Sequence, residues 1–436
     1  MTLRELEELF VRVGCTRAYA KPLAKNDNSK NQIYFGPSFQ ALNLFHNDGV
    51  VAANGPSGTP IFKAKLPFGW LQLNATIATA YGAQLILYPQ YPEVRFSGFL
   101  VGCQAAPSEL MASREPGRVL FLGVVPQKFT IGFVVGSDSE IAAEFRGRFA
   151  QATSGVFCEM PLRTVPTEAE ATERLLAELH RIHHAGWINS KQLDTTGKLL
   201  PCTAPQCGGF TLEAELGIPK NSSSEPDFLG WEVKQHAVSR FDRDPTGVIT
   251  LMTPEPTTGF YRELGVAAFI RKFGYVDRNG RADRLNFGGV HRVGVRHERT
   301  HLTLEISGYD SASGKITDAT GFIALVSDSG EIAAAWPFSG LLAHWSRKHS
   351  KAAYVPSQCR KEPQWQYRYG DRVRLGRGTD SLLLLQALVS GMVYYDPGIK
   401  LENASSPRPT AKRRSQFRIA SKNIAALYTS MEVVTV

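Results

Sequence analysis

The chain has 436 residues, and this length favours two or three domains over a single core. Hydrophobic residues make up 43% and charged residues 20% of the sequence, which excludes an intrinsically disordered chain. No apolar run reaches the roughly 18 residues of a membrane span. The start, MTLRELEELF, lacks the features of a signal peptide, so we expect a cytoplasmic protein with no membrane partner. The net charge of +9 favours a polyanionic partner without requiring one.

Six irregularly spaced cysteines are typical of reduced thiols rather than of a disulfide framework. Cys202 and Cys207 are close enough to suggest zinc, but no second Cys or His pair follows at ligand spacing. We interpret them as free thiols in a loop. His180, His183 and His184 lie near one another on a predicted helix and are interpreted as exposed histidines rather than metal ligands.

The N-terminal third begins with an amphipathic helix predicted over residues 3 to 13. A polar loop is predicted at residues 25 to 32, a short helix from Pro37 through Phe45, and a closing helix in SEIAAEFRGRF. Short apolar runs with Gly, Pro, Asn and Ser between them predict strands: AYAKPL, PIFKAKL, GWLQLN, AQLILYP, EVRFSGFLVG, RVLFLGVVP and FTIGFVVG. This pattern predicts a small β barrel or sandwich with helical caps.

The second half begins after a composition shift near Met160. Residues 159–172 predict a linker, and a helix follows with Leu175, Leu179 and Ile182 on one stripe. GGFTLEAELGIPK, residues 208 to 220, predicts a short helix. VITLM, HLTLEISGYD and FIALVSD predict strands, and GFYRELGVAAFIRKFGY and DSLLLLQALVSGMVYY predict helices. The alternation indicates an α/β fold with a mixed central sheet, and the predicted domains are residues 1–158 and 173–436.

The stretch SSSEPDFLGWEVKQ, residues 222 to 235, carries the strongest chemical signal. On an extended strand Glu232 and Lys234 share one face, while Trp231 and Val233 point the other way into a core. A turn at residues 228 to 230 brings Asp227 back beside Glu232. Two carboxylates with an ammonium beside them suit a Mg²⁺ ion and a nucleophilic water, so this spacing is typical of metal-dependent phosphodiesterases.

Two further segments bear on the same chemistry. Glu213 stands fourteen residues before Asp227; taken alone it is a solvated helix glutamate, and beside the motif it is a candidate to orient Lys234 or the water shell of the metal. Residues 398 to 423 are strongly basic, with Glu402 as the single acidic residue. Cations mixed with Ser, Gln and Asn suit DNA phosphates and base edges, although a solvated basic loop is the open alternative. The cations of this segment are Lys400, Arg408, Lys412, Arg413, Arg414, Arg418 and Lys422.

The run T-L-E-x-x-L-G-I followed by P-D-F-x(3)-E-x-K resembles the MvaI/BcnI family of restriction endonucleases, relatives of the mismatch-repair nickase MutH with the PD-(D/E)xK fold. The resemblance covers about residues 170 to 436. It implies that Glu213, Asp227, Glu232 and Lys234 are catalytic, with Asp227 and Glu232 as ligands of Mg²⁺. Mn²⁺ is a possible substitute, and Ca²⁺ is expected to support binding without cleavage.

The resemblance extends to the basic segment. Phe417-Arg418 resembles the Phe-Arg close of the base-reading tail in this family, whereas Lys412, Arg413 and Arg414 stand where the family has a His-Asp pair. We therefore take Lys400, Lys412, Arg413, Arg414 and Arg418 as candidate DNA contacts.

The N-terminal stretch AYAKPLAKNDNSKNQIYFGPS is similar to EcoRII-like effector domains, which are B3-like pseudobarrels that grip DNA with two arms. Lys21 and the loop Lys25 to Gln32, which includes Asn26 and Lys30, fall in the first arm. Glu93 and Arg95 in the run EVRF fall in the second.

Together the two resemblances imply a type II, type IIE-like restriction endonuclease of prokaryotic origin that cuts double-stranded DNA, with CCWGG as the target. They imply a monomer with one active site that nicks the strands in sequence. A second copy of the site would be bound by the N-terminal domain, and a cognate DNA methyltransferase is expected in the same cell. Two alternatives stay open: a non-catalytic B3-type DNA-binding regulator, and a MutH-like structure- or methylation-directed nickase.

Overall fold

The computed structural model describes residues 1–24, 32–39, 41–55, 58–91, 93–126, 128–149, 156–160, 162, 168–204, 206–220, 226–242, 247–278 and 280–436, without the side chains of residues 149, 343, 344 and 346–348. The chain divides into two compact units, Met1–Glu173 and Arg174–Val436.

The N-terminal unit is rich in short strands. Its helices are α1 (Leu3–Arg12), α2 (Ala41–Leu44), α3 (Ser108–Ala112) and α4 (Glu140–Phe149). Its strands are β1 (Arg17–Pro22), β2 (Gln32–Gly36), β3 (Val50–Asn54), β4 (Pro60–Lys65), β5 (Phe68–Leu71), β6 (Ile77–Thr79), β7 (Gln84–Tyr88), β8 (Glu93–Ser97), β9 (Val119–Val125), β10 (Phe129–Val135) and β11 (Cys158–Met160).

These strands form a six-stranded sheet, β11-β1-β9-β10-β5-β6, and a five-stranded sheet, β2-β8-β7-β4-β3. Neighbours are antiparallel except β5 and β10. Helix α1 begins with a capping box in which Thr2 and Glu5 bond each other's backbone, and its apolar side packs with α4 against the six-stranded sheet through Phe10, Phe121 and Phe145. The predicted β-rich unit with helices is therefore present, while the B3 pseudobarrel stays a prediction.

Helix α5 (Glu168–His184) spans the boundary between the two units. The C-terminal unit further contains helices α6 (Cys207–Glu215), α7 (Phe260–Phe273), α8 (Phe338–His349) and α9 (Ser381–Val389), and a 3₁₀ helix (Ser421–Leu427). Its strands are β12 (Ile188–Asn189), β13 (Lys191–Leu193), β14 (Leu199–Pro201), β15 (Glu232–Ala237), β16 (Val248–Met252), β17 (Tyr275–Val276), β18 (Arg284–Gly288), β19 (Leu302–Ser307), β20 (Tyr309–Asp310), β21 (Lys315–Ile316), β22 (Phe322–Ser327), β23 (Ile332–Pro337), β24 (Lys351–Arg360), β25 (Gln366–Tyr369), β26 (Arg372–Arg377), β27 (Val393–Tyr395), β28 (Gly398–Glu402), β29 (Thr410–Lys412), β30 (Phe417–Ala420) and β31 (Ser430–Thr435). The predicted linker 159–172 contains the end of β11 and the start of α5.

The main sheet of this unit has the order β12-β25-β24-β26-β31, and β15 joins it by pairing with β24. The β15–β24 pair is parallel and the others are antiparallel, so the predicted mixed sheet is confirmed. One face packs on the apolar stripe of α5, through Leu175, Leu179 and Ile182. Smaller sheets, β16-β30-β27, β17-β18-β28-β29 and β19-β22-β23, lie in the same unit.

Two local predictions are wrong. DSLLLLQALVSGMVYY is not one helix, because Gly391 takes a left-handed φ of +70° after α9 and the chain continues as β27. Cys202 and Cys207 are not free thiols: they form a disulfide with Cα atoms 5.8 Å apart. The fold brings the loop after β14 onto the first residue of α6, and both cysteines are buried in one core.

Candidate active site

A tight turn connects Asp227 to β15. The amide of Phe228 donates to the carbonyl of Trp231 at 2.9 Å, and the reverse hydrogen bond is 2.8 Å long. Leu229 and Gly230 have φ of +47° and +86°, the positive values of a type I′ turn. Glycine adopts this conformation freely, whereas for leucine it costs roughly 1–2 kcal/mol. The predicted turn is confirmed, and it reverses the chain immediately after Asp227.

Asp227 is held at the start of β15 by the backbone. Its Oδ2 accepts a hydrogen bond of 3.0 Å from the amide of Val233. Val233 stands between Glu232 and Lys234, so this bond fixes the Asp227 carboxylate to the backbone between the two other motif residues.

Glu232 and Lys234 form an ion pair on one face of β15, where Lys234 Nζ lies 2.6 Å from Glu232 Oε1. Glu232 is only 1% exposed. Trp231 and Val233 pack into the core of α5 and α6. The alternation predicted for this strand is therefore confirmed.

Two tyrosines that the sequence motif did not include lie close to Glu232. Tyr354 is the β24 partner of Lys234, and its hydroxyl is 2.8 Å from that of Tyr428. The pKa of Tyr354 is raised above its ordinary range, mainly by burial. The neighbouring Tyr428 hydroxyl and the charge of Glu232 raise it further. Both hydroxyls therefore remain protonated at neutral pH. Nothing near residue 232 in the sequence signals them, because only the β15–β24 pairing brings them in.

Glu213 is half-buried on α6, which packs against β15. A glycine suits this close approach, because a Cβ on Gly208 would lie 3.0 Å from the side chains of Gln235 and Tyr367. The helix ends in a Schellman-type cap, where the Ile218 amide donates to the Glu213 carbonyl at 2.8 Å and Gly217 is left-handed. Residues 216 to 219 after it line an open groove together with Asp227. Glu213 thus stands one turn from residues that share a groove with Asp227, and its catalytic role stays a prediction.

The donor set at the turn consists of carboxylate oxygens. In the part of the chain that the structure describes, no group of three or more His, Cys, Asp or Glu could hold a metal ion. Mg²⁺ does not need such a group, because it is held by one or two carboxylates with waters and substrate phosphates. Asp227 and Glu232 fit that mode of binding. His183 and His184 instead use Nδ1 in hydrogen bonds to the carbonyls of Tyr369 and His180.

Three of the five candidate DNA contacts in the basic segment, Lys400, Lys412 and Arg418, lie on strands of two sheets. Lys400 and Lys412 are exposed register partners on β28 and β29, and Lys412 Nζ is 3.9 Å from Glu402 Oε1. Arg413 and Arg414 are exposed after β29. Arg418 lies apart from them on β30, in the sheet β16-β30-β27.

Arg418 is oriented by an acidic partner, since its Nη1 is 2.6 Å from Asp396 Oδ2. Its ladder partners are Thr250 and Tyr394. The exposed guanidinium of Arg292 lies over the Tyr394 ring, 5.1 Å from its centroid. Two arginines therefore flank one tyrosine, and sequence reasoning missed Arg292 because it lies more than a hundred residues before Arg418.

The N-terminal candidates divide into three groups. Lys25, Asn26 and Lys30 lie outside the described residues. Lys21 is only 6% exposed within β1, which leaves its ammonium little access to a phosphate. Gln32, Glu93 and Arg95 lie on the five-stranded sheet, where Arg95 Nε donates to Glu93 Oε1 at 2.9 Å.

The register of this sheet identifies the neighbours of Arg95. It is opposite Tyr34 on β2 and Ile86 on β7, and Ile86 is opposite Lys63 on β4. Because directly paired residues project to the same side, Gln32, Arg95, Lys63 and Lys65 share a face. The sequence reasoning did not single out Lys63 and Lys65.

The model of the MvaI/BcnI restriction endonuclease family matches residues 176–428. The chain belongs to this family. It is therefore a type II site-specific endonuclease that binds DNA, and the resemblance of about residues 170 to 436 to this family is confirmed. Restriction endonucleases generally use a divalent metal ion, usually Mg²⁺, which the oxygen donors of Asp227 and Glu232 suit.

Two solved structures of MvaI are similar to this MvaI/BcnI family chain. The MvaI–cognate DNA substrate complex has 16% identity and a TM-score of 0.47, and the match covers 61% of this chain and 99% of that one. MvaI in the absence of DNA has 15% identity and a TM-score of 0.35, with 62% and 100% covered. The comparison with curated proteins found no match. In the described segments of the enzyme, no helix has the length and apolarity of a membrane span.

Proposed function

We propose that Asp227, Glu232 and Lys234 carry out the Mg²⁺-dependent hydrolysis of a DNA phosphodiester. The main support is the hydrogen bond from the Val233 amide to Asp227, directly beside the Glu232–Lys234 ion pair. This bond anchors the Asp227 carboxylate to the backbone between the second carboxylate and the ammonium that the reaction needs.

In this mechanism each side chain has a distinct task. Asp227 and Glu232 would hold the divalent ion, which would supply positive charge at the scissile phosphate and would lower the pKa of a bound water. Lys234 orients that water and stabilises the negative charge that builds on the phosphorane. Glu213, from α6, supports Lys234 or the surrounding waters.

The direct test is a digest of a DNA of known sequence in Mg²⁺, with the cut ends mapped. Lys234→Ala should abolish cutting and leave DNA binding in Ca²⁺ largely intact. Lys220→Ala, which removes an exposed lysine from the loop after α6, is the matched control and should cut normally. Cleavage by Lys234→Ala at the wild-type rate would contradict the assignment.

For the target we propose CCWGG, a site with two G·C pairs on each side of the central pair. Arginine forks onto the O6 and N7 of guanine, and Arg418 is held in place for such a contact by Asp396. Arg292 over Tyr394 offers a second guanidinium nearby. Lys400, Lys412, Arg413 and Arg414 provide charge for phosphates. End mapping reads the recognition sequence directly.

We also propose a monomer whose single active site nicks the two strands in sequence. One active site cuts one strand in each orientation, so a nicked circle should accumulate during plasmid digestion. Direct conversion of supercoiled to linear DNA, or a dimer by sedimentation, would contradict this.

For the N-terminal unit we propose binding of a second copy of the site as an effector, through the face that carries Gln32, Glu93 and Arg95. A one-site plasmid should then be cut more slowly than a two-site plasmid, and a short cognate duplex should restore the rate. Arg95→Ala should remove that stimulation and retain basal cutting, whereas the matched variant Arg114→Ala, at an exposed arginine between α3 and β9, should retain both. Equal loss of both by Arg95→Ala would mean that the unit only adds affinity.

A cognate methyltransferase is part of the same proposal, since the host DNA must be protected. Methylated and unmethylated CCWGG duplexes should therefore be cut at different rates. A requirement for hemimethylated or mismatched DNA would instead support a MutH-like nickase.

A further inference from the structure

A basic cavity of about 290 Å³ opens on the main sheet of the C-terminal unit. Alternation along β15 places His236, which lines the cavity, on the same face as Glu232 and Lys234. The ladders agree: Lys234 and Arg374 are both partners of Tyr354 on β24, and His236 is the partner of Pro356. The cavity therefore continues the face that carries the catalytic ion pair.

The charge of the cavity is positive. Arg240, Arg372, Arg374 and Lys422 line it, and no acidic residue is among its lining residues in the described part of the chain. Arg240 is neutralised by Asp242, with which it makes two hydrogen bonds of 2.9 and 2.6 Å. Arg374 is oriented by its Nη1 bond of 2.8 Å to the Ser421 carbonyl. Arg372 and Lys422 are exposed at the rim.

A buried ring nitrogen of His236, which has no hydrogen-bond partner within the segments that the structure describes, favours a ligand in this cavity. His236 is 4% exposed, and its Nδ1 is buried without a hydrogen-bond partner among the described residues. Burial and the neighbouring Arg374 lower the pKa of His236 to about 4, so the ring is neutral at pH 7 and can present an N–H to an oxygen ligand. An oxyanion in the cavity would pair with that donor and with the cations.

We propose that this cavity is a second phosphate subsite, which binds a backbone phosphate of the DNA strand that is being cut. The proposal rests on the proposed function of Glu232 and Lys234. Along a strand that rises about 3.3 Å per residue, His236 lies roughly 6.6 Å beyond Lys234. One DNA strand advances about 3.4 Å along its axis per nucleotide and also winds around that axis, so consecutive phosphates are farther apart than this rise and the second phosphate is one or at most two nucleotides from the scissile one. Binding it would fix the strand in register over the ion pair.

The test combines a protein change with a substrate change, in the full-length enzyme. Arg372→Gln combined with Lys422→Gln removes the rim charges. The matched control combines Arg262→Gln and Lys315→Gln, which are exposed cations outside the cavity. The substrates are cognate duplexes with one neutral methylphosphonate at each phosphate flanking the cut, and the readout is single-turnover cleavage, which reports on the catalytic unit.

At one flanking position the neutral linkage should slow the wild type and the control variant about tenfold or more, the effect of losing one charge-assisted contact. The same linkage should slow the rim variant clearly less than the wild type, because the contacts to the two rim cations are already lost while His236 and Arg374 remain. An equal extra slowing of the rim variant at every position would overturn the subsite. A second result would also overturn it: inorganic phosphate protects the wild type but not the rim variant against thermal unfolding, while no linkage position affects the two proteins differently. The cavity would then bind a free anion and not a phosphate of the DNA.

The two proposals fail in distinguishable ways. If the wild type does not cut the unmodified duplex, the proposed function is wrong. If it cuts the duplex and no position is coupled to the rim charges, only the second phosphate subsite is wrong.

Discussion

The turn at Asp227 permits a substitution that separates charge from structure. In Asp227→Asn the side-chain carbonyl still accepts the hydrogen bond from the Val233 amide, now 3.0 Å long, while the negative charge is lost. In Asp227→Ala both are lost. A hydrogen bond to a charged acceptor contributes about 1.5–3 kcal/mol, and a neutral one about 1 kcal/mol. Because Asp227 is half-buried, we expect the lower end of that range, about 1.5 kcal/mol, for the alanine variant and less than about 1 kcal/mol for the asparagine variant.

Activity should follow the charge and not the hydrogen bond. If Asp227 is a metal ligand, both variants should fail to nick a supercoiled plasmid in Mg²⁺, although only the alanine variant is clearly destabilised. Urea denaturation measures the stability difference, and plasmid nicking measures the activity. Near-wild-type nicking by Asp227→Asn would refute the metal-ligand role and leave Asp227 as a structural residue of the turn.

Four further changes test the turn itself, a buried histidine, the Arg418–Asp396 pair and the disulfide. Leu229→Asn should raise stability by up to about 1 kcal/mol and retain cleavage, because asparagine tolerates the left-handed conformation better than leucine; lower stability in urea denaturation would contradict this. Burial lowers the pKa of His291 to about 3, whereas the same histidine in the unfolded chain has a pKa of about 6.5. Below pH 6.5 the unfolded chain therefore binds a proton that the folded chain does not. The free energy of unfolding should decline by about 1.4 kcal/mol per pH unit from there towards pH 3. Denaturation at pH 7 and pH 5 should show a smaller decline in His291→Gln, and an unchanged decline would exclude this histidine as the cause. Asp396→Asn should weaken the discrimination against a changed G·C pair, measured by cleavage of substituted duplexes, since Arg418 loses its charged partner; unchanged discrimination would mean that Asp396 does not position Arg418 for base recognition. Reduction of the Cys202–Cys207 disulfide should lower stability by about 2 kcal/mol, the loop-closure value for so short a loop, and the Cys202→Ser/Cys207→Ser variant should not respond to the reductant.

The core of the candidate active site could be predicted because it is local. Asp227, Glu232 and Lys234 lie within one turn and one strand. The preference of Gly230 for a positive φ and the two-residue period of a strand determine where their side chains point. The same two-residue period predicted that Trp231 and Val233 point into the core. Strand pattern and helix stripes likewise predicted α5, α6 and β16, because each buries one apolar face.

The sequence did not reveal the residues that reach the site through the pairing of strands far apart in the chain. Tyr354 meets Lys234 only because β24 aligns in parallel with β15, and the free energy that selects this partner comes from the burial of the whole sheet. The same sheet turns Arg374 and His236 towards one cavity and joins residues more than a hundred positions apart.

Burial was also decided by the tertiary structure. Lys21 was expected in a DNA-binding arm, but its side chain is buried on β1. Cys202 forms a disulfide with Cys207 because α6 packs against the loop after β14. The sequence alone therefore determined the proposed catalytic group, since its three residues Asp227, Glu232 and Lys234 lie within eight positions of the chain. The surfaces around it depend on which strands pair, and strand pairing is a property of the folded chain.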